Sequence, residues 1–180
     1  MSIVAFEKFH GYLVGEEGAT RGLVVIQEWW GLNEDIKSIA TRYSKEGFLV
    51  LAPDLYYGKI AHNADEAHHF MDGLDWHDAQ AMVSAGARLL KSKGAKAVGV
   101  TGFCMGGAIT VAAAVNDPEI SAAAPFYGIP PAEIADPTKT RVPVQAHFGR
   151  EDEQKGFSDP VNAVKLEAAL VKSGVKYELH

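Results

Sequence analysis

Apolar runs of strand length alternate along this chain with segments of helical period. Several runs, such as residues 22–27 and 97–101, are apolar throughout, which is typical of parallel strands covered on both faces. This alternation predicts an α/β fold with a mostly parallel central sheet and helices on both faces. The predicted strands cover residues 22–27, 48–52, 97–101, 122–126, 142–148 and 176–180.

Helices are predicted over residues 33–46, 75–93 and 159–172, and an alanine-rich, buried helix over 108–115. Asn33 is suited to cap the first of these, and Gly47 to end it. Residues 4–14 are expected to add an antiparallel edge strand or a hairpin. Since no repeat or linker interrupts the pattern, we expect residues 1–180 to form a single domain.

Composition excludes several classes of function. The chain has 180 residues, 47% of them hydrophobic, which is enough to bury a substantial core. A net charge of −6 without a basic cluster argues against a nucleic-acid partner. One cysteine permits no internal disulfide, and the N-terminus lacks a basic stretch followed by a long apolar one. We therefore expect a cytoplasmic protein without a membrane anchor, either a monomer or a homodimer.

The single cysteine, Cys104, lies in the stretch TGFCMGG between a predicted strand and a predicted helix. A nucleophile on such a tight turn needs residues without side chains two positions before and after it, and Gly102 and Gly106 occupy those positions. The helix N-terminus is also expected to favour the thiolate. The alternative is a small, buried cysteine in a glycine-rich turn.

A strand, a glycine-rich turn and a helix also begin dinucleotide-binding units. Here the glycine spacing is G-x-x-x-G-G instead of G-x-G-x-x-G. The acidic residue expected about 20 positions later would fall near Phe126 and Tyr127, and neither is acidic. Nucleotide binding is therefore a weak alternative, and we expect no cofactor.

Four segments occur in the order and approximate spacing of one known family: QEWWGLN, LAPDLYYGK, GFCMGG and HFGREDE. On these segments, which extend over most of residues 20–180, the chain resembles the dienelactone hydrolases. These are cysteine-dependent members of the α/β-hydrolase fold. The resemblance implies hydrolysis of a small carboxylic ester or lactone.

The resemblance also implies roles for individual residues. Cys104 matches the nucleophile, and Asp152 matches the acid of the catalytic triad. The backbone N–H groups of Trp29 and Met105 match the donors of the oxyanion hole. Glu28 matches a glutamate that contacts the resting thiol and moves as substrate binds, although a structural, hydrogen-bonded acid is an equally open interpretation. Alternatives remain elsewhere: Asp152 lies in an acidic run typical of a solvated loop, and Trp29 could simply pack against the core.

In the family, the histidine that acts as general base follows the final strand, in a stretch like Y-P-x-x-x-H-x-F. The present sequence ends inside that predicted strand, so part of the strand, the following helix and the catalytic histidine are expected to lie outside these 180 residues. His180 is several residues too early, and His147 lies within a strand. The remaining histidines of the segment 61–78 are poorly spaced for a metal, and no metal site is expected.

The predicted substrate is a small ester or lactone. Dienelactone itself is doubtful, because the arginines that hold its carboxylate in some family members have no counterpart between Arg42 and Arg88. The hypothesis from a different class is a non-catalytic family member that serves as a binding or interaction domain.

Overall fold

A computed structural model describes residues 2–180 and contains one eight-stranded sheet. The strand order across the sheet is β1-β2-β4-β3-β5-β6-β7-β8. Strands β3 to β8 pair in parallel, whereas β1 and β2 pair antiparallel with each other, and β2 pairs antiparallel with β4. The strands are β1 Ser2–Phe6, β2 Phe9–Val14, β3 Arg21–Ile26, β4 Phe48–Pro53, β5 Ala97–Phe103, β6 Ala122–Phe126, β7 Val144–Ala146 and β8 Tyr177–Leu179.

Helices connect the parallel strands, as the alternating sequence pattern predicts. The side chain of Asn33 accepts a hydrogen bond from the Ile36 N–H and caps the first helix, as expected. Gly174 ends the last helix in the left-handed conformation at φ 75°. The helices are α1 Glu34–Lys45, α2 Ala64–Asp72, α3 Trp76–Ser92, α4 Met105–Asn116 and α5 Pro160–Ser173, with a short 3₁₀ helix at Pro137–Lys139.

The helices lie on both faces of the sheet. Ile36 and Ala40 of α1 pack on one face, and side chains of α3, α4 and α5, such as Met82, Ile109 and Leu166, pack on the other. Helix α4 is buried along almost its whole length, because it lies between the sheet and its neighbours. The prediction of a mostly parallel sheet with helices on both faces is confirmed.

The prediction of an antiparallel edge strand or hairpin near the N-terminus is confirmed: β1 is the sheet edge, and β2 is the strand that joins β4. One helix, by contrast, differs from the prediction. Helix α2 was not predicted, because its sequence is rich in histidines and acids and has no clear hydrophobic period. Only Ala67 among its residues is buried. Asn63 caps its N-terminus. None of the helices within residues 2–180 is long and apolar enough to cross a membrane.

The expected final strand over 176–180 is present as β8 and forms the second edge of the sheet. Beside α1, the sheet face over β5 to β8 is an open groove of about 460 Å³. Its lining includes small side chains such as Ala122 and Ala124 and the polar side chains of Gln145 and Glu178. The residues that the sequence singles out for chemistry follow the carboxyl ends of β3, β5 and β7.

Candidate active site

Cys104 lies on a sharp turn between β5 and α4. Its backbone has φ 56° and ψ −120°, a conformation that residues with side chains rarely adopt. A Cβ atom at Gly102 would lie 2.9 Å from the Cβ of Ile26, and one at Gly106 would lie 2.6 Å from the carbonyl oxygen of Ile26. Both glycines are therefore required for the turn to sit against β3, as the spacing of the sequence predicts.

The turn is also fixed to the end of β6. The Cys104 N–H donates a hydrogen bond to the Phe126 carbonyl at 3.1 Å. A Cβ atom at Gly128 would lie 2.7 Å from the Ala108 backbone nitrogen, and one at Gly107 would lie 3.0 Å from the Phe126 carbonyl carbon. At these points the backbone of one element lies directly against the backbone of another. The position of the thiol is therefore determined by β3, β5, β6 and α4 together.

The thiol of Cys104 is partly buried, and its environment disfavours the thiolate. Burial raises the pKa of Cys104 most, and the negative charges of Glu28 and Asp152 raise it further. A hydrogen bond from the backbone of Met105, at the start of α4, acts in the opposite direction and lowers this pKa. The helix terminus thus favours the thiolate, as expected, but burial and the two acids outweigh it, and the net shift of the pKa is upward.

Glu28 follows β3 and is partly exposed. Its Oε1 accepts a hydrogen bond from the Tyr127 hydroxyl at 3.0 Å. Its negative charge raises the pKa of the Cys104 thiol, so the two groups interact electrostatically. Both interpretations of Glu28, catalytic and structural, are compatible with these contacts.

Of the two predicted oxyanion donors, Trp29 lies on the turn that follows β3, and Met105 is the first residue of α4. The Met105 side chain is buried, and its sulfur accepts a hydrogen bond from the Tyr56 hydroxyl at 3.4 Å. The Trp29 ring packs edge-on against Trp30, with ring centroids 5.2 Å apart, and against His68, at 4.8 Å. The role of the two N–H groups in stabilising an oxyanion remains a prediction.

Asp152 lies on the loop that follows β7, at the same end of the sheet. Its backbone N–H donates to the Gly149 carbonyl, and its Oδ1 accepts a hydrogen bond from the Gln154 N–H at 2.8 Å. Its negative charge contributes to raising the pKa of the Cys104 thiol. The charges of Glu28 and Asp152 thus both act on the ionisation of Cys104, although more than 120 residues separate the two acids in sequence.

A model of the dienelactone hydrolase family matches residues 9–180 of this sequence. The chain belongs to the dienelactone hydrolase family.

Named relatives are similar to nearly the whole chain. A protein of Aquifex pyrophilus called protein usf is 34% identical over 187 residues, which cover 96% of this chain and 80% of the relative. A protein of Aquifex aeolicus, named provisionally as a carboxymethylenebutenolidase, is 30% identical over 98% of this chain and 81% of its own length.

The solved structures similar to this one have the α/β-hydrolase fold. A provisionally named dienelactone hydrolase from Klebsiella pneumoniae superposes with a TM-score of 0.81 at 24% identity, over 97% of this chain and 79% of that one. A metagenomic, dienelactone hydrolase-like promiscuous phosphotriesterase superposes with a TM-score of 0.77 at 20% identity, over 99% of this chain and 79% of that one. At these identities the likeness concerns the fold alone.

Two histidines of this dienelactone hydrolase-family chain, one directly after β7 and one directly after β8, form a stack with an aromatic ring. The His147 ring stacks on Phe126 with centroids 4.4 Å apart and on His180 at 4.9 Å. His147 Nε2 lies 3.3 Å from Gln145 Oε1, and His180 Nε2 lies 3.3 Å from Glu178 Oε2. Burial and the charge of His180 lower the pKa of His147.

Asp54, in the segment LAPDLYYGK, braces the turn after β4. It accepts hydrogen bonds from the N–H groups of Tyr56 and Gly58 at 3.2 and 2.6 Å. Within residues 2–180, no group of three or more His, Cys, Asp or Glu side chains is arranged to hold a metal ion.

Tyr127 is a site residue that the sequence reasoning missed. It directly follows β6, in the left-handed region at φ 38°, and its N–H donates to the His147 carbonyl at 2.8 Å. Burial raises the pKa of the Tyr127 hydroxyl, and the charges of Glu28 and Cys104 raise it further. Its position at the carboxyl end of a strand next to β5 was an available signal, because α/β sheets build their sites at those ends.

Proposed function

We propose that this chain hydrolyses a small carboxylic ester or lactone through a covalent intermediate on Cys104. The sulfur attacks the carbonyl carbon, the alkoxide departs with a proton, and a thioester remains. Water then adds to the thioester and releases the carboxylic acid and the free thiol. The observation that carries this proposal is the strained backbone of Cys104 at the N-terminus of a buried helix, where strain serves to present a nucleophile.

The neighbouring groups support the same chemistry. In this proposal the N–H groups of Trp29 and Met105 stabilise the negative oxygen that develops on the substrate. The Met105 N–H already interacts with the sulfur, which is consistent with a donor directed at the reacting centre. Asp152 orients the base, and Glu28 acts on the ionisation of the thiol.

A proton-transferring histidine completes this mechanism. The resemblance to the family assigns that role to a residue after β8, and this assignment remains a prediction. The rings of His147 and His180 stack on each other and interact with Gln145 and Glu178, an arrangement that supports neither as the base.

Trapping the acyl-enzyme with an aryl acetate tests the proposal. Intact mass spectrometry after rapid acid quenching should show one added acetyl group, and peptide mapping should place it on Cys104. The group should be labile to neutral hydroxylamine, as thioesters are. The Cys104→Ala variant should acquire no acetyl group, and acetylation of the two proteins to the same extent would contradict the proposal.

Binding without turnover is the second candidate function. The upward shift in the pKa of the Cys104 thiol favours it, because a protonated thiol is a poor nucleophile. Under this alternative, aryl acetates leave Cys104 unmodified at pH 7 and also at pH 9, where the thiolate fraction is larger. Acetylation that increases between these two pH values would instead support the hydrolase.

A further inference from the structure

Within the described residues 2–180, the buried hydroxyl of Tyr56 has only a weak hydrogen-bond acceptor. Tyr56 lies on the loop after β4 and is 6% exposed. Its hydroxyl donates a hydrogen bond to the Met105 sulfur at 3.4 Å, and its ring packs edge-on against Phe70 of α2, with ring centroids 5.4 Å apart. A thioether is a weak acceptor. The hydroxyl can therefore redirect its hydrogen bond to a stronger acceptor that comes within reach.

The backbone before Tyr56 is fixed to the turn that carries Cys104. The Leu55 N–H donates a hydrogen bond to Gln27 Oε1 at 3.2 Å, and Gln27 is fully buried directly after β3. A Cβ atom at Gly106 would overlap the Gln27 carbonyl oxygen, so the end of β3 lies directly against the start of α4. The loop that holds the hydroxyl is thus preorganised relative to the candidate nucleophile.

The same hydroxyl lies within electrostatic range of the Cys104 thiol. Burial raises the pKa of Tyr56 most, and the negative charge of Cys104 raises it further. The hydroxyl therefore keeps its proton at neutral and moderately alkaline pH and remains a hydrogen-bond donor. It adjoins Met105, whose backbone N–H is one of the two expected oxyanion donors.

Tyr127, directly after β6, differs from Tyr56 in one respect. Burial raises the pKa of Tyr127 most, and the charges of Glu28 and Cys104 raise it further, but its hydroxyl donates to the Glu28 carboxylate at 3.0 Å. A carboxylate is a strong, charged acceptor, so this hydrogen bond is costly to exchange. Of the two tyrosines whose pKa the charge of Cys104 raises, Tyr56 is the one whose hydrogen bond can be redirected at little cost.

We infer that the Tyr56 hydroxyl donates a hydrogen bond to the substrate's carbonyl oxygen while Cys104 attacks, as a third donor of the oxyanion hole. This inference rests on the proposed hydrolase function. As the bond between sulfur and the carbonyl carbon forms, one electron pair of the C=O bond moves to oxygen. The hydrogen bond to the Met105 sulfur breaks, a charge-assisted one to that oxygen forms, and the proton stays on Tyr56. Because the second hydrogen bond is stronger than the first, the exchange stabilises the transition state more than the resting state.

A comparison of acylation with alkylation tests this role. Tyr56→Phe keeps the ring, and should lower the single-turnover acylation rate with an aryl acetate about 100-fold, as loss of an oxyanion donor typically does. Its alkylation by iodoacetamide should stay within about twofold of the parent's, because displacement of iodide develops no negative charge on a carbonyl oxygen. Equal, measurable acylation rates of variant and parent, or an equal fall in both reactions, would overturn the inference.

Tyr57→Phe is the matched control in the same loop. Tyr57 is 59% exposed, and its hydroxyl donates to the Asp78 carboxylate of α3. Loss of that hydroxyl should leave the rates of acylation and alkylation unchanged. A fall in acylation as large as that of Tyr56→Phe would show that the loop as a whole, and not the Tyr56 hydroxyl, is responsible.

A double-mutant cycle separates contact with the substrate from an effect on Met105. Met105→Leu removes the sulfur and nearly conserves the volume of the side chain. If the hydroxyl acts on the substrate, Tyr56→Phe should lower the acylation rate by about the same factor in this background as in the parent. A role confined to holding the Met105 sulfur predicts instead that the effect disappears, and that result would contradict a direct donor.

Reversible addition of butanal to Cys104 tests the oxygen site independently of ester hydrolysis. The sulfur bonds to the aldehyde carbon and the thiol proton ends on the aldehyde oxygen, so neither a leaving group nor water takes part. The bound aldehyde should protect Cys104 from iodoacetamide. The concentration that gives half-protection should be about tenfold higher for Tyr56→Phe than for the parent, because the adduct's oxygen loses a hydrogen bond.

The outcomes with butanal distinguish this inference from the proposed function. Protection that depends on Tyr56, together with no acetylation by aryl acetates, would refute hydrolysis and support the oxygen site. Equal protection of the parent and Tyr56→Phe would refute the role of Tyr56 alone. No protection of the parent at any concentration of butanal would contradict both.

Discussion

The Tyr127 hydroxyl donates a hydrogen bond to Oε1 of Glu28 at 3.0 Å and joins the end of β6 to the end of β3 across the strand that carries Cys104. The two residues are 99 positions apart in the chain. Because the pKa of Tyr127 is raised, its hydroxyl remains a donor at neutral and moderately alkaline pH.

Removal of that hydroxyl should destabilise the fold. We expect Tyr127→Phe to lower the free energy of unfolding at pH 7 by about 1 to 3 kcal/mol, because a carboxylate loses a hydrogen bond. Urea denaturation measures this loss. In a Glu28→Ala background the same change should cost much less, and additive losses in the double-mutant cycle would show that the two side chains are not coupled.

Alkylation of Cys104 should report the charge of Glu28. A raised pKa means a smaller thiolate fraction at pH 7, so iodoacetamide should react more slowly with Cys104 than with free cysteine. Glu28→Gln removes a negative charge that raises this pKa, and should therefore accelerate alkylation at pH 7 and move the pH profile to lower pH. The control is Glu34→Gln, at the exposed start of α1. Equal rates for both variants would exclude electrostatic coupling between Glu28 and the thiol.

A methyl group at Gly106 should displace the nucleophile. Gly106→Ala places a Cβ atom 2.6 Å from the Ile26 carbonyl oxygen, so either α4 or β3 must shift. We expect a loss of about 1 to 3 kcal/mol in stability and loss of acyl-enzyme formation. Gly99→Ala on β5 is the control, because its Cβ would make ordinary contacts at 3.5 and 3.6 Å. A Gly106→Ala protein with the parent's stability and acylation rate would refute the nucleophile turn.

Substitution of the stacked histidines should leave acylation nearly unchanged. His147→Gln and His180→Gln should alter the single-turnover acylation rate of the 180-residue chain by less than about twofold, whereas loss of a general base typically costs about 100-fold or more. Rapid quenching followed by mass spectrometry measures the rate. A fall of about 100-fold in either variant would identify that histidine as the base.

The sequence by itself determined the layered architecture and the turn that carries the thiol. The apolar runs of β3 to β6 and the capping residue Asn33 act over a few neighbouring positions, so their effects can be deduced without knowing the fold. The same holds for Gly102 and Gly106, because the steric limits of a tight strand-to-helix turn are local. Helix α2 was missed because its exposed, polar residues provide almost no hydrophobic period.

Only the tertiary structure decided how the site residues act on one another. The direction of the pKa shift of Cys104 depends on burial and on two carboxylates from distant loops, and the helix terminus that the sequence identifies acts in the opposite direction. The partner of Glu28 is Tyr127, which the sheet brings close by placing β5 between β3 and β6. Local geometry follows from neighbours in sequence, whereas electrostatics follow from neighbours in space.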